Sequence, residues 1–307
     1  MSGTCGYSLA MPKASLTVVV PALNEAEYLP QCLNSLQQQA VDIRVFVSDN
    51  ASEDETSAVA RLVDSDLSLS VRRLDRRCGP TEHFVLAARW ALESSDTEYF
   101  SFLAADDEWH PDFSTAVLTR FSKANVDIVL PSFEWKDGDL CRVIRPSNFL
   151  QRRPQHRQLL ALMLPDWKEL ANLLYAVYTR AAFCTLIDAL HRGEDEFAAD
   201  YAAAWYVLGR YRAAGCEDAV GVRRVRANTD LLERVGMRSG DAVTMRARAT
   251  AYTRLYCRVN GGISRALARL DGTHRVPEAV VFGLRLPQAL LGIPRQLKIA
   301  RLGRGAR

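Results

Sequence analysis

The 307-residue chain is 48% hydrophobic and 24% charged, enough apolar content for one large domain or two modest ones. Seven scattered cysteines without a CxxC pair exclude a zinc ribbon and fit reduced thiols, and no apolar run approaches the roughly 18 residues of a bilayer span. The net charge of +3 hides an asymmetry: residues 222–307 carry 18 Lys and Arg against 5 Asp and Glu, so the front of the chain is acidic and the tail basic.

In chain order, Leu16-Thr17-Val18-Val19-Val20 is a β-branched run halted by Pro21, which predicts a buried strand. Leu29, Cys32, Leu33 and Leu36 recur at helical spacing and predict an amphipathic helix over 25–39. Ile43 to Val47 is a second strand, and Ser52 with Glu55 forms a capping box that opens a helix running to about Val63. Leu67–Leu74 is a third strand, Phe84, Ala87, Ala88 and Ala91 mark the next helix, and Tyr99–Leu103 is a fourth strand. Another helix follows Pro111, and Val126–Leu130 follows that. Strand alternating with helix over some 130 residues implies an α/β fold with a mainly parallel, doubly wound sheet. Lys136-Asp137-Gly138-Asp139 is a hairpin turn signal. Helices are expected to dominate beyond 155, notably Ala181–Leu190, Ala198–Tyr211 and 241–270, with 222–240 the best boundary.

Three segments carry chemistry, each where a strand ends. In an open α/β sheet, ligands bind beyond the carboxyl ends of the strands. Pro21-Ala22-Leu23-Asn24-Glu25 is a strand-to-helix turn whose N–H groups suit a nucleotide, although Asn24 alone is equally a helix cap. Ser48-Asp49-Asn50 follows the second strand; Asp49 is placed to accept the N3–H of a pyrimidine, and by itself reads as a turn residue. Asp106-Asp107 ends the fourth strand, and adjacent carboxylates there call for a cation or a hydroxyl partner.

Together, Pro-x-x-Asn-Glu, Asp-Asn-x-Ser-x-Asp-x-Thr and Ala-Asp-Asp-x-x-x-Pro closely resemble the family-two inverting glycosyltransferases, over roughly residues 14–125 and more weakly to about 230. The resemblance implies a GT-A (Rossmann-like) catalytic domain over 1–230. Its nucleotide-sugar half would be 14–125 and its acceptor half 126–230, followed by a basic helical extension at 231–307. It implies a nucleotide diphosphate sugar donor, UDP- or dTDP-linked, held by Pro21, Leu23, Asn24, Glu25, Asp49, Asn50, Arg77 and Asp106. Mg²⁺ or Mn²⁺ would sit at Asp107 and Asp106, with Asp107 on the ion and Asp106 toward the sugar. The chain departs from the family at Ala104, where relatives carry a further acid, and at Cys78–Phe84, where they carry an Asn-x-Gly-rich run; Arg76 and Arg77 just before it are candidates to face the diphosphate.

An inverting transfer needs a base on the acceptor hydroxyl, worth about 10²–10⁴ in rate. Asp200, ahead of a helical run, is the first choice, with Glu194 and Asp195 as runners-up; each is also an ordinary acidic helix start. Trp109 and His110 are candidate pocket walls, and Trp167 and Tyr175 a candidate acceptor platform, with core packing the commoner fate of such rings. The histidines show no metal-ligand spacing.

After Glu278 the tail carries Arg285, Arg295, Lys298, Arg301, Arg304 and Arg307 among Leu and Ile. It is expected to lie on an anionic membrane surface, with a helix packed on the rest of the chain by its apolar face or a homo-oligomer contact as the alternatives, and not to bind nucleic acid. With no secretory signal evident, the expected place is the cytoplasm, either free or peripheral on the inner face of the membrane, and the expected acceptor is a saccharide or a lipid-linked sugar. The expected role is the assembly of surface polysaccharide, glycolipid or glycoconjugate in a bacterial setting. The competing readings are a degenerate nucleotide-sugar-binding protein, motivated by Ala104, and a sugar-nucleotidyltransferase, which should show a Gly-rich basic loop after strand one.

Overall fold

The computed structural model describes residues 16–63, 67–137, 140–146, 172–193 and 199–224. The 231–307 extension, the 241–270 helix, Trp167, Glu194 and Asp195 lie outside the described residues.

A nine-stranded sheet organises these residues, with β3-β2-β1-β4-β8-β6-β9-β5 in order and β7 paired to β6. Strands β1 (Leu16–Ala22), β2 (Ile43–Asp49), β3 (Ser68–Arg73) and β4 (Tyr99–Phe102) run parallel. The short β8 (Val177–Thr179) is antiparallel to both β4 and β6 (Ile128–Asp137), so β6 points the same way as β4. β9 (Ala213–Arg224) runs parallel to β6, and β5 (Glu108–Trp109) returns antiparallel against it. β7 (Leu140–Ile144) closes a hairpin with β6 in which Asp137 faces Leu140, at the expected turn.

Every residue of β1 is buried, as a central strand covered on both faces requires. Its odd positions face a core with α3 (Pro80–Ser94), α5 (Arg180–Arg192) and α6 (Ala199–Leu208), where Val19 meets Phe46, Phe100 and Phe102. Leu16, Val18 and Val20 face the other core, with α1 (Leu29–Gln37), α2 (Thr56–Leu62) and α4 (Phe113–Lys123). The result is three layers, helix–sheet–helix.

Several boundaries differ from the sequence expectation. β1 does not stop at Pro21 but pairs with β2 through Ala22. Ala22 O accepts from Asn50 N on the β2 side and Val19 O from Leu103 N on the β4 side, so Pro21's missing N–H falls on the side where β4 has already ended. The Ser52–Glu55 capping box does not form: α2 starts at Thr56, with Glu55 as an N-cap that makes no side-chain bond. Helix α1 begins at Leu29, later than 25, because Asn24 to Ala26 are tied to the neighbouring loop.

The larger correction is β9. Residues 213–224, in the stretch expected to be dominated by helices, are a strand inside the sheet, and Arg223 and Arg224 are its last two residues. Its pattern is obscured by a bulge, where Cys216 pairs with Pro131 but the next pair is Val220 with Ser132.

Candidate functional site

Because β1, β2, β3, β4, β6 and β9 share one direction, their C-terminal ends open on one edge. Ala22, Asp49 and Arg73 stand in register there. The loops after β1, β2 and β3 build one side of the cleft, the β4–β5 turn its middle and the end of β9 its other side.

The first side is held by its own polar side chains. Asn24 N donates to Ser52 Oγ (2.9 Å), Glu25 N to Thr56 Oγ1 (2.8 Å) and Ala26 N to Asp54 Oδ2 (3.0 Å), while Glu53 N donates to Asn24 Oδ1 (2.8 Å). The N–H groups expected to cradle a nucleotide are therefore spent on the β2–α2 loop. Asn24 (φ 55°) and Ala51 (φ 52°) both adopt left-handed backbone, which turns the two loops against each other.

Asp49 is fully buried. Its Oδ1 accepts from Ser52 N (2.9 Å) and Ser52 Oγ, and its Oδ2 accepts from Ser57 Oγ and faces Arg73 at 3.5 Å. Asn50 is equally committed: Nδ2 donates to Cys78 O (3.0 Å) and Oδ1 accepts from Cys78 N (2.9 Å), binding the loop after β2 to the loop after β3. Beneath them His83 lies buried with Nε2 3.1 Å from Ser48 Oγ, and burial pushes it down to about 4, which keeps it neutral. Arg77 is exposed in the turn before α3, and its neighbour Arg76 pairs with Glu82.

At the centre, Asp107 N donates to Ala104 O in the tight turn that follows β4. Asp107 is buried, at 3% exposure, whereas Asp106 is partly exposed. Asp107 Oδ2 accepts from Arg223 Nε (3.2 Å) and Oδ1 from Arg224 N (3.0 Å). Burial pushes Asp107 up to about 7; Arg223 opposes the rise and Asp106 adds to it. Arg224 Nε donates to Asp106 O (3.0 Å), and its Nη2 donates to Gln31 Oε1 and Glu108 Oε1, so this arginine staples α1, the acidic turn and β9.

The last side gathers around Arg223. Its Nη1 donates to Asn172 Oδ1 (3.0 Å), and Tyr175 lies against its guanidinium. Burial works against the Arg223 charge, but Tyr175, Asp107 and Asp106 more than offset it and hold its pKa above the usual value. Asp200, in the first turn of α6, is pushed up to about 6 by burial, with the backbone N–H of Tyr201 and the Arg223 charge opposing. The Tyr175 hydroxyl is raised to about 12, chiefly by burial, and feels Arg223, Asp107, Asp106 and Asp200 together. The charges of Asp106, Asp107 and Asp200 all act on Tyr175, and that of Arg223 acts on Asp107 and Asp200. Trp109 is no pocket wall: it is buried, stacked on Phe113 at 3.9 Å. His110 faces Glu134 at 3.6 Å.

Residues 17–183, more than half of the chain, match the family model described as Glycosyl transferase family 2. The chain belongs to glycosyl transferase family 2. Asp106 and Asp107 lie within the family match, whereas Asp200 and Arg223 lie beyond it. Abequosyltransferase RfbV of Salmonella typhimurium is 27% identical over 136 residues, covering 43% of this chain and 39% of its own length. The teichoic acid poly(glycerol phosphate) polymerase of Staphylococcus epidermidis is 31% identical over 113 residues, 36% of this chain and 15% of its own. The chain thus spans well under half the length of these curated relatives. Among solved structures, S. aureus TarS 1–349 in complex with UDP aligns with a TM-score of 0.53 at 18% identity, covering 83% of this chain and 72% of that one. That likeness is one of fold, and the fold is GT-A.

Sequence reasoning brought Asp106, Asp107 and Asp200 forward and missed Arg223 and Arg224. The available signal was a pair of adjacent arginines closing the apolar Ala219–Val222 run, read instead as the start of a basic tail. Among the described residues no helix is long and apolar enough to cross a membrane.

Proposed function

We propose that this chain is an inverting glycosyltransferase that moves a sugar from a UDP- or dTDP-linked donor to an acceptor hydroxyl in polysaccharide, glycolipid or glycoconjugate synthesis. The observation that carries the reading is Asp107, beside Asp106 in the turn after β4, held by Arg223 Nε and Arg224 N at the carboxyl edge of the sheet, with the Arg223 charge also acting on Asp200. The relatives are named for glycosyl transfer and cell-wall polymer synthesis, and TarS was solved with UDP and with UDP-GlcNAc, which supports a nucleotide-sugar donor.

The donor set suits a hard divalent ion. Asp106 and Asp107 would hold Mg²⁺ or Mn²⁺ with oxygen ligands, and the donor diphosphate would complete the shell. Among the described residues no three or more His, Cys, Asp or Glu side chains form a group able to hold an ion. Such an ion, when bound, neutralises charge on the departing diphosphate. The β1–α1 and β2–α2 loops, stitched through Asn24, Ser52, Asp54 and Thr56, form the nucleoside wall, with Leu23, Glu25, Asp49, Asn50 and Arg77 in or beside it. Asp49 shapes that wall from beneath through Ser52 and Ser57 and stands at the register position next to Arg73.

Asp200 accepts the acceptor hydroxyl proton as the oxygen attacks the anomeric carbon from the face opposite the leaving diphosphate. Burial raises its basicity toward the value a base working near neutral pH requires. Tyr175 walls the acceptor side. The test is Asp107→Ala: calorimetry should show that UDP binding in the presence of Mn²⁺ is lost while the melting transition persists. Unchanged UDP affinity removes Asp107 from the donor site.

A further inference from the structure

Arg223 links the two sides of the cleft, and its surroundings are those of a built position. Its Nε and Nη1 reach in different directions, to Asp107 Oδ2 at 3.2 Å and Asn172 Oδ1 at 3.0 Å. The guanidinium carbon lies 4.2 Å from the ring centre of Tyr175, 5.4 Å from Trp135 and 6.0 Å from Phe133. Only 20% of the side chain is exposed. Withdrawing a guanidinium from water is unfavourable unless carboxylate, amide and aromatic faces replace its hydration, and all three are present here.

The consequence falls on Asp107. Both of its oxygens are engaged from β9, one by the Arg223 side chain and the other by the Arg224 backbone. The orientation of this carboxylate is therefore set from across the cleft, by a strand more than a hundred residues later in the chain. Tyr175 and Trp135, which pack on Arg223, also pack against the core that includes α6, the helix bearing Asp200.

Resting on the reading of this cleft as a nucleotide-diphosphate sugar site, we propose that Arg223 is its positioning residue. It fixes the Asp107 carboxylate in the orientation that donor binding uses, and ties that orientation to Tyr175 and α6 on the acceptor side. A lysine does not substitute, because its single nitrogen lacks the separated Nε and Nη1 donors that reach Asp107 and Asn172, and an ammonium does not lie flat on the Tyr175 ring. A partner that orients a ligating carboxylate is worth about 10–100-fold in affinity or activity.

The experiment measures UDP binding by calorimetry in the presence of Mn²⁺, using the full chain. Arg223→Ala should weaken binding by about 10–100-fold. Millimolar guanidinium, entering the aromatic box, should restore most of the loss, and equal ammonium should restore none. Arg223→Lys should resemble Arg223→Ala, and it supplies the comparison if the alanine variant melts below the assay temperature. Arg44→Ala, at the opposite end of β2 in an exposed pair with Asp96, should bind as the parent does. Parent-like affinity in Arg223→Lys, or a loss in Arg223→Ala that guanidinium leaves unrepaired, overturns the positioning role while leaving the donor site standing. If the unmodified chain takes up no UDP with Mn²⁺, the donor-site reading itself falls and carries this one with it.

Discussion

Replacing Asp200 by asparagine tests the acceptor side of the site. Burial raises this carboxyl from 3.8 to about 6, against the Tyr201 N–H and the Arg223 charge. A group at that value is roughly nine-tenths ionised at pH 7 and roughly one-tenth at pH 5, so the parent rate should fall about tenfold between them. The sign follows from the direction of the shift: the base form is present above pH 6 and is lost as pH falls through it. Asp107, raised to about 7, titrates nearby, but ligation keeps a carboxylate deprotonated, so its limb belongs to kcat/KM and that of Asp200 to kcat at saturating donor. Asparagine keeps the shape and cannot take a proton. Transfer should drop by about 10²–10⁴ and lose the limb near pH 6, with UDP affinity unchanged. The assay is nucleoside diphosphate release with a saccharide acceptor at saturating donor, from pH 5 to 8. A variant that turns over within about threefold of the parent at every pH refutes the assignment and passes the role to Glu194 or Asp195.

Two adjacent residues in the β2–α2 loop should respond in opposite directions. Ala51 holds φ 52° with a Cβ that this conformation disfavours by about 1 kcal/mol, so Ala51→Gly should raise the denaturation midpoint slightly. Asn50→Ala removes two hydrogen bonds to the Cys78 backbone and should destabilise by about 1–3 kcal/mol in urea titrations. A neutral Asn50→Ala would show that the two loops hold together without that clamp.

Much of the parallel half of the fold was legible because β1 and β2 are covered on both faces and read as apolar-rich runs, Leu16–Val20 with only Thr17 and Ile43–Val47 with only Arg44 as polar residues. The helices α1 and α3 were legible from their spacing and α4 from Pro111 ahead of it, though α1 starts late because Asn24 to Ala26 bond sideways to the next loop. The second half was harder to read. β8 has three residues and no room for a period, while β9 carries Glu217 and Asp218 at a bulge that breaks alternation. The carboxylates stood out because they interrupt apolar runs; Arg223 did not, because its meaning comes from Asp107, Asn172 and Tyr175, all distant in sequence. Asp49 and Asn50 were placed correctly at a strand end, yet local spacing does not reveal that their side chains are consumed by Ser52, Ser57 and Cys78.

The central claim is that the carboxyl edge of this sheet takes a nucleotide diphosphate sugar, and a thermal-shift panel of nucleotide sugars with and without Mn²⁺ tests it most directly. A donor at 100 times its Kd adds about 2.7 kcal/mol to the stability of the native state, enough to move the melting midpoint by several degrees. The account predicts that UDP- or dTDP-linked sugars raise the midpoint in the presence of Mn²⁺ and that Asp107→Ala abolishes the rise. A midpoint indifferent to every pyrimidine nucleotide sugar, with the ion present, would contradict it.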